Sequence, residues 1–358
     1  MTVCTTQQPQ IRKFKEKDWD QLTDPNGPWA FAKITRTRLE WITQYWPEND
    51  ALLVASLDDQ IIGYFPNIAV PFKVKNKIIN AYSGGLFVHP AYRNQKYNVF
   101  NLLVKGAHQA AREKSSIVYG FPIPALLKYY NRRIQAHVLK TIPTYIKVLN
   151  LTYFFERVLK SKRLAYFFGL LCNPFIDLLS FKFRIPKSIV IREAHSFDER
   201  FDRLWQKASP LFEITVVRNR EYLNWKCRKG SNINSITFVA EKEGELLGYI
   251  KLQPVETSKQ YKGVILDIFD MQDQSVTEAL IDRAVTYFRG QGVSKIEFRI
   301  SNDYYEAILR RSCFFKIKDK GDTDPVTLLV KSYSSEIDKK YFHDPKNWFI
   351  TSETIVSA

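Results

Sequence analysis

Residues 86–113 read LFVHPAYRNQKYNVFNLLVKGAHQAARE. An apolar run, Leu86 to Val88, enters His89-Pro90, and a short polar turn headed by Arg93 follows. Val99, Phe100, Leu103, Val104, Ala107, Ala110 and Ala111 then recur at helical spacing. The stretch predicts a strand, a basic turn and a helix start. At such a junction the first helical amides lack intrahelical partners and the positive end of the helix dipole faces the turn. That is the chemistry of an anion site. Taken alone, the same residues also suit an ordinary strand-to-helix connection.

A repeat adds to the case. Residues 54–64 read VASLDDQIIGY and residues 239–249 read VAEKEGELLGY. Val54/Val239, Ala55/Ala240, Gly63/Gly248 and Tyr64/Tyr249 share one offset. Each copy predicts a hairpin, with Asp58-Asp59 or Glu243-Gly244 as turn chemistry between apolar runs. IVYGFPIPALLKYY (117–130) and IEFRISNDYYEAIL (296–309) both predict strand, loop and helix. Two copies of one α/β unit point to a tandem duplication rather than a solenoid.

Length and composition agree. The 358 residues suit two or so domains, and 45% hydrophobic and 14% aromatic content builds two cores. Cys4, Cys172, Cys227 and Cys313 are widely spaced, which fits a reducing compartment rather than a disulfide framework. The five histidines show no HxxxH pairing, so no metal site is expected. MTVCTTQQPQIRKF has no apolar core and does not read as a signal peptide. The net charge is +16, and residues 124–190 hold twelve Lys/Arg against two Asp/Glu. Such a segment favours an acidic carrier, RNA or an anionic membrane surface, or is a solvated basic face.

Along the chain, unit one predicts a strand near Ile11–Phe14, helical structure over 29–46 and a hairpin over 52–70. A long strand over 78–88, the basic turn, a helix to 114 and a strand at 116–120 follow. A helix over 124–132 and a strand over 136–148 close the unit. Residues 149–185 are apolar and basic; Asn173, Pro174 and Asp177 interrupt the 164–181 run, which argues against a membrane span. Two short helices joined near Asn173-Pro174 are expected, packed between the units or lying in a membrane interface. Unit two repeats the order from Ile189, and its tail residues Trp348 and Phe349 are expected to dock on the fold.

This order of elements resembles the GNAT superfamily of acyl-CoA-dependent N-acyltransferases. VHPAYRNQKYN (88–98) looks like that family's acyl-CoA loop: Gln or Arg, two residues, Gly, one residue, then Gly or Ala, usually behind Pro-x-Tyr. Pro90, Tyr92 and Arg93 match. Lys96 stands where Gly is usual, and Asn98 where Gly or Ala is usual. A side chain there narrows the approach of backbone to a pyrophosphate, although Lys96 brings a charge of its own. The resemblance covers about residues 8–148 and 188–332, and extends to double-GNAT proteins through RNREYLNWKCR (218–228) and the late Asn-Trp. In unit two MQDQSV follows Asp270, with neither Arg nor Gly, and its acids repel a pyrophosphate.

The resemblance implies an α/β (α+β) fold: two tandem GNAT-like mixed-sheet domains joined by an apolar, basic helical connector. The domains would be 1–148, with the altered acyl-CoA loop, and 188–358, without one; the connector would be 149–187. It implies acetyl-CoA or another acyl-CoA as donor, no metal, and an amine acceptor that the sequence does not identify. Backbone amides of Leu86, Phe87 and Val88 would align the donor. Arg93, Asn94, Gln95, Lys96, Tyr97 and Asn98 would hold its phosphates. His89 or Tyr82 would be the base. Tyr129 or Tyr130 would protonate the leaving thiolate, and the sequence does not choose between them. Two rivals stand beside this reading: a Fem-like transferase using aminoacyl-tRNA or acyl carrier protein through residues 124–190, and a non-catalytic membrane-peripheral scaffold. A cytoplasmic location is expected, peripheral to the membrane if the connector docks there.

Overall fold

The computed structural model describes residues 8–44, 52–93, 97–114, 116–179, 185–228, 231, 234–257, 260–317 and 325–355. Unit one runs β1 (Gln10–Lys13), α1 (Trp19–Thr23), α2 (Arg36–Gln44), β2 (Leu52–Leu57), β3 (Gln60–Pro66), β4 (Ile68–Val74), β5 (Lys77–Ser83) and β6 (Phe87–Val88). Then come α3 (Val99–Glu113), β7 (Ile117–Gly120), α4 (Pro124–Tyr129), β8 (His137–Thr141) and β9 (Thr144–Val148). The connector is α5 (Thr152–Leu159) and α6 (Lys162–Leu179). Unit two runs β10 (Val190–Ala194), α7 (Glu199–Ala208), β11 (Ile214–Val216), α8 (Arg220–Cys227), β12 (Ile236–Lys242), β13 (Glu245–Thr257) and β14 (Gln260–Asp270). It ends with α9 (Gln274–Gly290), β15 (Lys295–Ser301), α10 (Asp303–Arg311), β16 (Phe315–Ile317), β17 (Thr327–Ser332), α11 (Lys339–His343), β18 (Trp348–Thr351) and α12 (Ser352–Ile355).

The repeated hairpins match in detail. Asp58 and Asp59 turn β2 into β3 at φ of 50° and 61°, and Glu243 and Gly244 turn β12 into β13 at 51° and 82°. Two consecutive left-handed residues are what a two-residue hairpin turn of the favoured twist requires. Both hairpins carry a register shift at the same place, after Ala55 and after Ala240.

The expected long strand over 78–88 is two strands in two sheets. β5 belongs to a fourteen-stranded sheet, whereas β6 joins the four-stranded sheet β1-β2-β3-β6. The break lies at Gly84. A Cβ added there would sit 1.6 Å from the Pro66 carbonyl oxygen, so no side chain fits between the two backbones. Gly84→Ala is therefore expected to lower stability by about 3 kcal/mol, the upper end for overpacking, since the obstacle is backbone that must move. Gly120→Ala, where nothing lies within 4 Å, is the control. Urea unfolding of Gly84→Ala at the wild-type midpoint would refute this account of the break.

The strand expected to close unit one also differs. Residues 136–148 form β8 and β9, and β9 leaves its own unit to pair antiparallel with β15 and β16. In return β17 enters unit one, between β7 and β8. Each unit thus completes its sheet with a late strand of the other. Leu328 and Val330 of β17 are fully buried there, each worth roughly 1.5–3 kcal/mol of apolar transfer. The units also join through Trp41 and Trp225, stacked at 4.6 Å and 1°. Each indole Nε1 donates to the other residue's carbonyl, at 3.0 and 3.4 Å. Trp348 and Phe349 are buried in β18, as the apolar tail predicts.

The connector is a helical hairpin, but its joint lies elsewhere than predicted. Lys160, at φ 50°, ends α5, and Pro174 sits inside α6. Asn173 is not a break. Its side chain accepts from the Leu151 amide at 2.8 Å and donates to Asn150 Oδ1 at 3.1 Å, tying the two helices together. Among the described residues no helix is long and apolar enough to cross a membrane.

Candidate functional site

In unit one β5 and β7 run parallel, paired at Ala81/Ile117 and Tyr82/Val118. Beyond that point they part, because β6 swings across to β3. A cavity of about 330 Å³ occupies the gap. Ser83 to Leu86 form one wall and Tyr119 to Pro122 the other, and α3 contributes Phe100, Val104, Ala107 and His108. An adjoining cavity of about 570 Å³ sits at the start of α3, against Val88, Tyr92, Arg93, Asn98 and Val99. The two share Leu86, Phe100, Ile123 and Leu126. Together they form a groove leading from a helix N-terminus into a strand splay.

Ladder geometry sets which amides face it. The His89 amide donates to Ile62 O at 3.0 Å, and Phe87 pairs with Tyr64. Antiparallel bonding alternates along a strand. Phe87 is therefore directed at β3, whereas Val88 presents its N–H and C=O to the other side. The Arg93 Nε confirms the direction by donating to Val88 O at 3.1 Å. Of the three residues expected to align a donor, Phe87 is turned to β3 instead.

The turn carries the other expected residues. Arg93 follows the Pro90–Tyr92 3₁₀ turn and lines the larger cavity. Asn94, Gln95 and Lys96 lie outside the described residues. The Tyr97 ring rests near Tyr92 at 5.7 Å. Asn98 is left-handed, with φ 50° and ψ 32°. Asparagine tolerates that region better than most residues, which explains how it stands where glycine or alanine is usual. Its carboxamide does not cap the helix; Oδ1 accepts instead from Asn101 Nδ2.

Unit two shows the contrary arrangement. Asp273 caps α9 with its own carboxylate, accepting from the amides of Ser275 and Val276 at 2.8 and 3.3 Å. Its strand splay is filled as well. β14 and β15 pair from Lys262/Lys295 to Ile265/Phe298, and β18 then takes Ile300 and Ser301. Behind β18, Arg218 grips Asp267 through Nε at 2.9 Å and Nη2 at 3.0 Å. Tyr249 and Thr351 hydroxyls donate to the same carboxylate, both at 2.7 Å.

The two tyrosines expected as acid are placed differently. The Tyr129 hydroxyl donates to Asn101 Oδ1, and its ring meets Phe100 edge-on at 5.0 Å. Tyr130 lines the 330 Å³ cavity. Burial, then the neighbouring Tyr129, pushes Tyr130 up to about 12; burial also raises Tyr129. His89 is not brought to the groove. Its Nδ1 accepts from the Ala91 amide at 3.3 Å, so the proton lies on Nε2, which donates to Pro28 O at 3.2 Å. Both nitrogens are used in holding the turn, and the base expectation for His89 finds no support in this geometry. Tyr82 is buried between β5 and α3, away from the lining. In unit two, Glu221 lines two small surface cavities of about 300 and 230 Å³, while Trp225 is committed to its stack on Trp41.

His108 is the residue that sequence reading missed. It lines the cavity, and its Nδ1 meets the Tyr333 hydroxyl at 2.9 Å. Burial, with Lys331 and Arg112 adding to it, lowers His108 to about 4 and holds it neutral. The helical spacing 100, 104, 108 was a usable signal. No local signal points to Leu329 or Ile355, which unit two contributes to the same cavity.

Residues 199–309 match the family model described as Acetyltransferase (GNAT) family. That match falls in unit two, so the family's core pattern is more legible where the groove is closed than where it is open. No curated protein matches in sequence. Among solved structures, a GCN5-related N-acetyltransferase from Anabaena variabilis superposes at a TM-score of 0.64 and 11% identity, over 91% of this chain and 73% of that one. A probable N-acyltransferase from Enterococcus faecalis gives 0.58 and 10%, over 91% and 73%. Saccharomyces cerevisiae N-myristoyltransferase with bound myristoyl-CoA gives 0.53 and 11%, over 90% and 82%. Identities this low speak to fold alone, and the fold they share is the mixed α/β one built here. Residues 199–309 thus carry the pattern of the GNAT family model, and the chain along most of its length shares the fold of these N-acetyltransferase and N-acyltransferase structures.

Proposed function

We propose that the chain is an N-acyltransferase that takes its acyl group from an acyl-CoA bound in unit one and passes it directly to an amine. The observation that carries this is the open groove. The Val88 amide, turned away from β3, leads to a helix start that its own N-cap side chain leaves uncapped. The first-turn amides of α3, with Arg93, suit a diphosphate. The Val88 amide suits a pantetheine arm or a polarised carbonyl oxygen.

The bound thioester would supply an electrophilic carbonyl carbon and a sulfur leaving group. Tyr130, pushed up to about 12 by burial, keeps its proton at neutral pH and in this reading gives it to the departing sulfur. The proton that the attacking amine loses goes to solvent at the mouth of the groove, because His108, lowered to about 4 by burial, is too weak a base to keep it. The new bond is carbon to nitrogen, and the broken one is carbon to sulfur. Unit two shapes the groove through Leu329 and Ile355 rather than binding a donor of its own. An apolar groove of this kind does not favour aminoacyl-tRNA or a carrier protein as donor, and an open splay does not favour a purely structural role.

Thermal unfolding tests the reading. Millimolar CoA or acetyl-CoA is expected to raise the melting temperature, because a ligand at about a hundredfold its Kd adds about 2.7 kcal/mol to the folded state. Arg93→Glu is expected to remove that rise while leaving the ligand-free melting temperature near wild type. A wild-type protein that shows no shift would remove the donor from the proposal.

A further inference from the structure

We propose that the α5–α6 hairpin is an interfacial anchor that seats the protein on an anionic lipid surface. The hairpin has a fixed inner face. Ala165 is buried against α5, and a Cβ added at Gly169 would lie 2.0 Å from Thr152 Oγ1, so the helices cross in close contact. The Asn173 bonds to Leu151 and Asn150 lock that crossing. What points outward is thereby settled, and it is apolar. Leu164, Phe167 and Leu171 form one line along α6, with Tyr166 and Leu170 in the adjacent row, all 50–68% exposed. Phe154 and Val158 extend the patch onto α5 at 57% and 59%.

A surface helix ordinarily turns charged residues to water, and contiguous apolar patches on a soluble surface mark an interaction site. Lys160, Lys162 and Arg163 are exposed at the bend beside the patch, and Glu156 of α5 is half-buried. α6 carries no acid before Asp177. Aromatic and leucine side chains on one face, with Lys and Arg at its edge, is the composition of a helix that lies in a bilayer interface. A spanning role is not available to it among the described residues. A second copy fits less well, because a chain of net charge +16 would bring the same basic bend against its twin. The inference is independent of acyl transfer, since lipid binding requires no thioester.

Co-sedimentation of the full chain with vesicles tests it, using phosphatidylcholine alone and phosphatidylcholine with about a third phosphatidylglycerol. Wild type is expected to bind the anionic vesicles roughly tenfold more than the neutral ones, and less at high salt. The variant Phe167→Ser/Leu170→Ser/Leu171→Ser and the variant Lys160→Glu/Lys162→Glu/Arg163→Glu should each lose roughly tenfold. Their melting temperatures should stay near wild type, because the altered side chains face solvent. Absence of wild-type binding, or equal binding by the serine variant, would overturn the proposal. So would concentration-dependent dimerisation that the serine variant abolishes while vesicles bind nothing.

Discussion

Replacing Asp267 with alanine is expected to cost about 3–5 kcal/mol of folding stability. Asp267 is buried, and it accepts from Arg218 through two nitrogens, from Tyr249 and from Thr351. Its loss would leave the Arg218 guanidinium, itself buried, without its counter-charge. The remaining Arg218 bonds, to Thr215 Oγ1 at 2.5 Å and Val216 O at 2.9 Å, are to neutral acceptors. Opening of the structure to hydrate the arginine would loosen β18, which holds the second splay shut. Urea unfolding measures the loss, and hydrogen exchange at Phe349 to Thr351 should rise with it. A change below about 1 kcal/mol would mean that water reaches Arg218 and that the pair does not hold β18 in place.

Tyr130→Phe is expected to lower kcat by about 10²–10⁴ with little change in KM, the usual range for loss of a positioned proton donor. The hydroxyl matters at the moment the sulfur departs, so ground-state binding should be nearly unaffected. Tyr129→Phe separates the two tyrosines. Its hydroxyl holds Asn101 at the start of α3, so that variant should raise the apparent Kd for CoA more than it lowers kcat. Turnover is followed by release of free thiol from acetyl-CoA with a panel of amines. Equal effects of the two substitutions on kcat would withdraw the assignment of Tyr130.

Much of this molecule is local, and what is local was legible. Val54 to Tyr64 and Val239 to Tyr249 announced matching hairpins, because turn chemistry and alternation act within a dozen residues. The position of α3 and its basic lead followed from spacing in the same way. So did the acids around Asp273 that close the second helix start. Asn98 illustrates the limit: the sequence marks it as a departure, and only its φ of 50° shows that it keeps the backbone conformation that a glycine would allow.

Sequence by itself determined the two matching hairpins, the position of α3 with its basic lead, and the apolar, basic character of the connector. Tertiary structure alone decided that β9 and β17 trade units, that β18 fills one splay while the other stands open, and that Tyr130 rather than Tyr129 meets the cavity. It also turned His89 away and brought His108, Leu329 and Ile355 together. Periodicity, capping and turn preference are fixed by neighbouring residues. Strand partners up to about two hundred positions apart are chosen by competition among apolar faces, which no local pattern records.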